Sequence, residues 1–222
     1  METATGEAVP AVLAARRISK SFGGVQVLFS VDFDLRKGEV HALMGENGAG
    51  KSTLVKILSG FEHPTSGDIL LDGKPVTLPK NGDAEKFGIV IIHQEFNLAD
   101  HLTVTESLYL GHELTRFGIL DRKTMRARTR AALDQLGSTI DENALISSLA
   151  VADKQMVEIA KAISRNARVV IMDEPTAVLS GEETRILFDQ VRKLKAAGTS
   201  FVFVSHKLNE VMEISDRVTV LR

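Results

Sequence analysis

Residues 12–22 and 25–35 alternate between apolar and polar side chains and are rich in β-branched and aromatic types. A period of two in such company predicts a pair of antiparallel strands near the N-terminus. Residues 40–45 form a short apolar run closing on glycine, and residues 51–60 then take up helical spacing and stop at Gly60. That pattern reads as strand, loop and helix. In residues 68–78 two extended runs flank Asp72-Gly73, a pair that favours a tight two-residue hairpin. Residues 88–95 read as a buried strand that leaves the core through polar residues.

From Leu102 to about Arg165 the spacing is helical, which predicts an inserted α-helical subdomain over about 102–165. Beyond it, residues 168–175 form an apolar run closing on acids. Residues 180–198 then form a helix that opens with a Ser180 and Glu183 capping box and closes at Gly198. Strand, helix and strand complete the pattern. Strands alternating with helices of this length require parallel pairing. The expected fold is therefore α/β, with a core of mainly parallel sheet, an N-terminal antiparallel β-subdomain and the helical insertion, all in one domain over 1–222. Residues 1 to about 11 are expected to be disordered. The ending inside or just after a strand suggests a truncated C-terminus.

A chain of 222 residues with 44% hydrophobic content can fill a sizeable core. The absence of cysteine excludes disulfides, thiolate metal sites and cysteine nucleophiles, and it fits a reducing cytoplasm. No run approaches the roughly 18 apolar residues needed to span a bilayer, so any membrane role runs through another protein. With 27 Lys and Arg against 29 Asp and Glu, the formal charge is −2, and no global field draws the chain to nucleic acid. The one basic cluster, Arg122, Lys123, Arg126, Arg128 and Arg130, reads as a solvated helix face.

Gly45-Glu46-Asn47-Gly48-Ala49-Gly50-Lys51-Ser52-Thr53 matches G-x-x-x-x-G-K-[ST] between an expected strand and an expected helix. A polyphosphate needs several converging donors. A glycine-rich loop lets backbone N–H groups close around it while the next helix presents its positive end. Lys51 is expected to reach the β- and γ-phosphates and the Ser52 hydroxyl to ligate Mg²⁺. The loop alone does not choose between a kinase, a GTPase and an ATPase motor.

Asp173 and Glu174 follow Val169-Val170-Ile171-Met172, so both emerge at the carboxyl end of a buried strand, where open α/β sheets bind ligands. There Asp173 would hold Mg²⁺ and Glu174 would polarise the attacking water. His206 follows a second apolar strand and surfaces at the same sheet edge. By themselves His206 and Gln94 also admit a structural reading. His41, His63, His93, His101 and His112 have no ligand spacing and read as structural or surface residues.

In this order the residues resemble the nucleotide-binding domain of ATP-binding-cassette proteins, over nearly the whole chain from about Val12. The resemblance implies that Phe22 stacks on adenine, that Gln94 senses Mg²⁺ and the attacking water, that Asp173 and Glu174 are the metal-binding and catalytic acids, and that His206 is the switch histidine. KSFGGVQVL, IIHQEFNL, DKQMVEIAKAIS, MDEPTAVLS and SHKLNEV are similar to the N-terminal half of tandem ATPases serving bacterial monosaccharide importers of the ribose, galactose or xylose type. As ligands the resemblance implies ATP and Mg²⁺. As partners it implies membrane permease subunits, a second cassette in the same full-length chain and, indirectly, a periplasmic solute-binding protein, with no nucleic acid. Its implied place is the cytoplasmic face of the inner membrane. The exit after Gln94, through Glu95, Phe96 and Asn97, is the expected docking surface, with a core position equally open for Phe96. A soluble cassette ATPase of translation or DNA repair, a phosphotransferase with a phosphate loop and a non-catalytic nucleotide module remain the alternatives.

Two departures from the family pattern stand out. Its signature, Leu-Ser-Gly-Gly-Gln, falls on Leu149-Ala150-Val151-Ala152-Asp153. In the family this segment caps the ATP held by the opposite domain. Ala150 lacks the hydroxyl, Val151 and Ala152 add Cβ atoms, and Asp153 turns a negative charge toward an anion. Second, Ser180 stands where the family commonly has Asp, although it can still cap the following helix. The chain is therefore expected to offer a complete catalytic half-site and a poor capping half-site.

Overall fold

A computed structural model describes residues 11–78, 83–94 and 96–222. The expected disorder of residues 1–10 concerns positions outside that set, and Ala11 already belongs to the first strand. In chain order the elements begin with β1 (Ala11–Phe22), β2 (Val25–Arg36), β3 (Val40–Gly45), α1 (Lys51–Leu58), β4 (Ser66–Leu71), β5 (Lys74–Val76) and β6 (Ile89–Ile92). Next come α2 (Val104–Tyr109), β7 (Thr115–Arg116), β8 (Ile119–Leu120), α3 (Arg122–Gln135) and α4 (Val151–Ser164). The chain closes with β9 (Val169–Asp173), α5 (Gly181–Ala196), β10 (Ser200–Val204), α6 (Leu208–Ile214) and β11 (Arg217–Leu221).

Strands β2-β1-β4-β5 form an antiparallel sheet, and β11-β3-β10-β9-β6 form a second sheet in which every pairing is parallel. A parallel sheet needs cover on both faces, and the alternation within its strands supplies it. Val202 and Val204 of β10 face the antiparallel sheet and α1, packing with Phe33, Leu35, Leu54 and Leu58. Phe201 and Phe203 face the other way, toward α5 and the helical segment, packing with Phe188, Val191 and Val157. Phe188 and Phe203 meet edge to face with centroids 5.8 Å apart, a preferred aromatic geometry.

Local chemistry sets the boundaries. Asp72 and Gly73 both take positive φ, 48° and 76°, as a type I′ hairpin turn between β4 and β5 requires. Ser180 accepts from the Glu183 N–H while the Glu183 side chain accepts from the Ser180 N–H, so the expected capping box closes the start of α5. Between residues 102 and 165 the helices α2, α3 and α4 appear as their spacing predicts. The segment also holds the short β7–β8 hairpin, turning on Phe117 and Gly118 at positive φ. Two-residue strands are too short to produce a readable period.

Arg130 of the basic cluster is more than a solvated charge. It pairs with Asp134 at 2.8 Å and donates to the Ser138 and Ile140 carbonyls, anchoring the chain beyond α3.

Candidate functional site

Because β3, β10, β9 and β6 run parallel side by side, their carboxyl ends open on one edge of the sheet. This single fact gathers residues far apart in sequence. The phosphate loop leaves β3, His206 follows β10, Asp173 ends β9 with Glu174 next, and Gln94 lies two residues past β6. A cleft of about 360 Å³ at this edge is lined by Val27, Asn47, Gly48, Gly50, Lys51, Ser52, Thr53, Gln94, Asp173 and Glu174. Glu46, Ala49 and Gly45 line the adjoining open hollow of about 790 Å³ together with His206 and the end of β11.

Two glycines of the loop are required by close packing. A Cβ at Gly50, where φ is 95°, would stand 2.5 Å from Leu28 Cδ2 and 3.2 Å from the Val27 carbonyl oxygen. At Gly45 it would stand 2.6 Å from the Leu221 carbonyl oxygen. Both contacts lie far inside van der Waals range, so the antiparallel sheet and β11 press on the loop only because these positions lack side chains. Val27 is a cleft residue that sequence reading did not single out, and its strand alternation gave no sign of it.

Lys51 begins α1, is 8% exposed, and donates from Nζ to the Gly45 carbonyl at 2.8 Å and the Glu46 carbonyl at 3.1 Å. Burial, and secondarily the charge of Glu174, push the Asp173 carboxyl above its usual range, against smaller opposite effects from His93, Lys51 and Lys56. A divalent cation at this edge would offset both main causes. Among the described residues no three His, Asp or Glu side chains converge as a metal cage. Magnesium needs none where phosphates, a hydroxyl, one carboxylate and waters complete an octahedron. The residues lining the cleft fit that donor set.

Glu174 takes a left-handed backbone, φ 48°, with its N–H donating to the Val204 carbonyl at 2.9 Å. A non-glycine residue in that region is held by its surroundings, and such outliers cluster at functional sites. Its Oε1 lies 3.1 Å from His206 Nδ1.

Phe22 does not line the cleft. It ends β1 at the tip of the hairpin whose second strand supplies Val27, 43% exposed, with Lys20 Nζ 4.7 Å from its ring centroid. Of the signature segment, Leu149 packs on the core, Ala150 is the N-cap of α4 without a side-chain hydrogen bond, and Val151 is 42% exposed. Ala152 and Asp153 lie in the first turn of α4. None of the five lines the phosphate cleft.

Glu95 lies outside the described residues. Phe96 is half-buried outside the core clusters, and Asn97 donates from its N–H to the buried Glu158 at 3.2 Å. His41 is a buried structural residue, whereas His112 is exposed beside Glu85.

Strand, glycine loop and helix beside a strand closing on two acids define a nucleoside-triphosphate-binding domain of the phosphate-loop class. A family model described as ABC transporter matches residues 28–177, and the chain belongs to that family. It is 54% identical over 211 residues to a ribose import ATP-binding protein of Rubrobacter xylanophilus, covering 95% of this chain and 42% of that protein. To a putative ribose/galactose/methyl galactoside import ATP-binding protein of Agrobacterium fabrum it is 53% identical, again over 95% of this chain and 42% of the relative. The chain thus spans about two-fifths of the length of these curated relatives. Its fold matches a nucleotide-free ATP-binding cassette from an ABC transporter with a TM-score of 0.85 at 26% identity, over 95% of this chain and 87% of that one. No helix of the described residues is long and apolar enough to cross a membrane.

Proposed function

We propose that this chain is the ATP-binding and ATP-hydrolysing cassette that energises import of a small solute, a monosaccharide, through separate membrane permease subunits. The observation that carries the reading is the convergence of Lys51, Ser52, Gln94, Asp173 and Glu174 on one cleft. The relatives named for ribose and galactose import support the sugar, and they favour this reading over a cassette of translation or DNA repair and over a phosphotransferase.

The backbone from Gly45 to Thr53 cradles the phosphates, and Lys51 exchanges its carbonyl partners for phosphate oxygens. Phe22 stacks on the adenine. Ser52, and Asp173 with Gln94 beside it, would hold Mg²⁺, which would supply positive charge against the phosphates. Glu174 takes a proton from water as the water oxygen bonds to the γ-phosphorus and the bond to ADP breaks. His206 holds Glu174 and the γ-phosphate side of the cleft in place.

The signature segment of this chain is a poor cap for an anion, so the productive site pairs the cleft described above with a second cassette carrying an intact signature. That second cassette belongs to the same full-length chain. Residues 95–97 dock on the permease, a periplasmic solute-binding protein acts through it, and the assembly sits on the cytoplasmic face of the inner membrane. Calorimetric titration with Mg-ATP tests the core of this reading: binding with the heat of one site is expected, and folded protein that releases none refutes it. Co-purification with permease subunits tests the transport assignment, and recovery on ribosomes instead would refute it.

A further inference from the structure

Glu174 and His206 sit on separate loops, one after β9 and one after β10, and their side chains meet in a 3.1 Å contact. His206 is 59% exposed at its side chain, so packing does little to fix it. What fixes the two loops lies beneath them. Thr176, two residues past Glu174 and 1% exposed, donates from Oγ1 to Glu210 Oε2 at 2.5 Å. Ser205, immediately before His206 and 2% exposed, has its Oγ 3.2 Å from the same carboxylate oxygen. Lys207, immediately after His206, reaches Glu210 Oε1 at 2.9 Å and the Thr176 carbonyl at 3.2 Å. Its N–H donates to Ser205 Oγ at 3.1 Å.

We propose that Glu210 is a positioning residue for the Glu174–His206 pair, its carboxylate clamping the loop of the acid to the loop of the histidine. The inference rests on the catalytic reading given above. Among the described residues the polar partners of Glu210 are Thr176, Ser205 and Lys207, so it acts through the residues that flank the pair. One carboxylate accepts from both loops, and two of its donors are buried hydroxyls. If either loop shifts, a buried hydroxyl loses its acceptor, which makes the joint arrangement of the loops cooperative. The left-handed backbone at Glu174 requires such outside restraint. A misplacement of about 1 Å at a reacting group costs roughly a hundredfold in rate, so a clamp that sets the acid against the histidine controls turnover through their pairing without contacting the nucleotide.

The competing view is that Glu210 only favours the N-terminal turn of the short helix α6. A double-mutant cycle separates the two. Single-turnover hydrolysis of ATP, with protein in excess, is measured for the parent, Glu210→Ala, His206→Ala and the double variant, alongside the Kd for Mg-ATP. Glu210→Ala is expected to slow the chemical step about tenfold or more with Kd changed less than about threefold, and to add less than about twofold in the His206→Ala background. Glu210→Gln, which keeps an acceptor for Thr176, is expected to recover part of the rate.

Losses that multiply fully in the double variant, or a Glu210→Ala rate equal to that of the parent, would overturn the clamp while leaving the ATPase reading intact. A parent that binds Mg-ATP but never hydrolyses it, even when paired with a cassette carrying an intact signature, would refute the catalytic reading and the clamp with it. Should Glu210→Ala fail to fold, Glu210→Gln and Thr176→Val, each with His206→Ala, run the same cycle.

Discussion

Lys51 Nζ lies 2.8 Å from the carbonyl oxygen of Gly45, the first residue of its own loop. The ammonium is thus already buried and held by carbonyl oxygens, which in the proposed site give way to phosphate oxygens. Replacing it should remove charge-assisted bonds worth about 1.5–3 kcal/mol, which is roughly tenfold to a hundredfold in Kd. Lys51→Ala is therefore expected to bind Mg-ATP weakly and to lose the rise in Tm that nucleotide gives the parent. Calorimetry and thermal melts check this, and parental affinity in the variant would remove Lys51 from the site.

Glu174 is the carboxylate whose backbone is turned left-handed at the cleft, beside His206. Glu174→Gln keeps the shape and loses the proposed base. Turnover should fall by about a hundredfold or more, the usual size of general-base catalysis. Binding of Mg-ATP should persist within about threefold. Phosphate release and calorimetry on the same sample measure both, and a variant that turns over like the parent assigns the base elsewhere.

Ala150 occupies the N-cap of α4 with extended backbone and no oxygen to accept from the first turn. In the proposed head-to-tail pairing a homodimer would set Val151 and Asp153 over each phosphate, so the chain alone should hydrolyse ATP slowly. Ala150→Ser combined with Val151→Gly, Ala152→Gly and Asp153→Gln is expected to raise that rate. The serine cap adds about 1 kcal/mol to the helix, and the two glycines cost up to about 1 kcal/mol each. Vigorous phosphate release by the unmodified chain would contradict the poor-cap reading.

His41 is 1% exposed, stacked on Phe33 with centroids 4.5 Å apart, and in hydrogen-bond contact with the Asp34 carbonyl and Thr219 Oγ1. Burial holds its pKa below the ordinary 6.5. A histidine harder to protonate in the folded chain leaves stability intact above the unfolded pKa. That stability is lost as pH falls below about 6.5. Chemical denaturation at pH 7.5 and 5.5 should show the parent losing more stability across that interval than His41→Gln. Equal losses would show that His41 does not supply the dependence.

Much of the architecture was legible because it rests on local chemistry. The glycine pattern around Lys51, the Asp72-Gly73 turn and the Ser180–Glu183 box each act within a few residues, so the chain announces them. The β7–β8 hairpin was missed because two-residue strands carry no period. Val27 was missed because its importance comes from where its strand lies against Gly50. Glu210 sat in plain view four residues after His206, but its three partners come from two loops that only the sheet brings together.

By itself the sequence determined the alternation of strands and helices, the loop suited to phosphate, and the strand that ends in two acids, because periodicity and turn chemistry are short-range. Only the tertiary structure decided the strand order β11-β3-β10-β9-β6. That order brings Lys51, Gln94, Asp173 and Glu174 to one edge, with Glu174 left-handed beside His206 and residues 149–153 outside the cleft. Strand order is fixed by how helices and a second sheet cover the two faces of a parallel sheet, a long-range packing outcome that no single stretch of residues encodes.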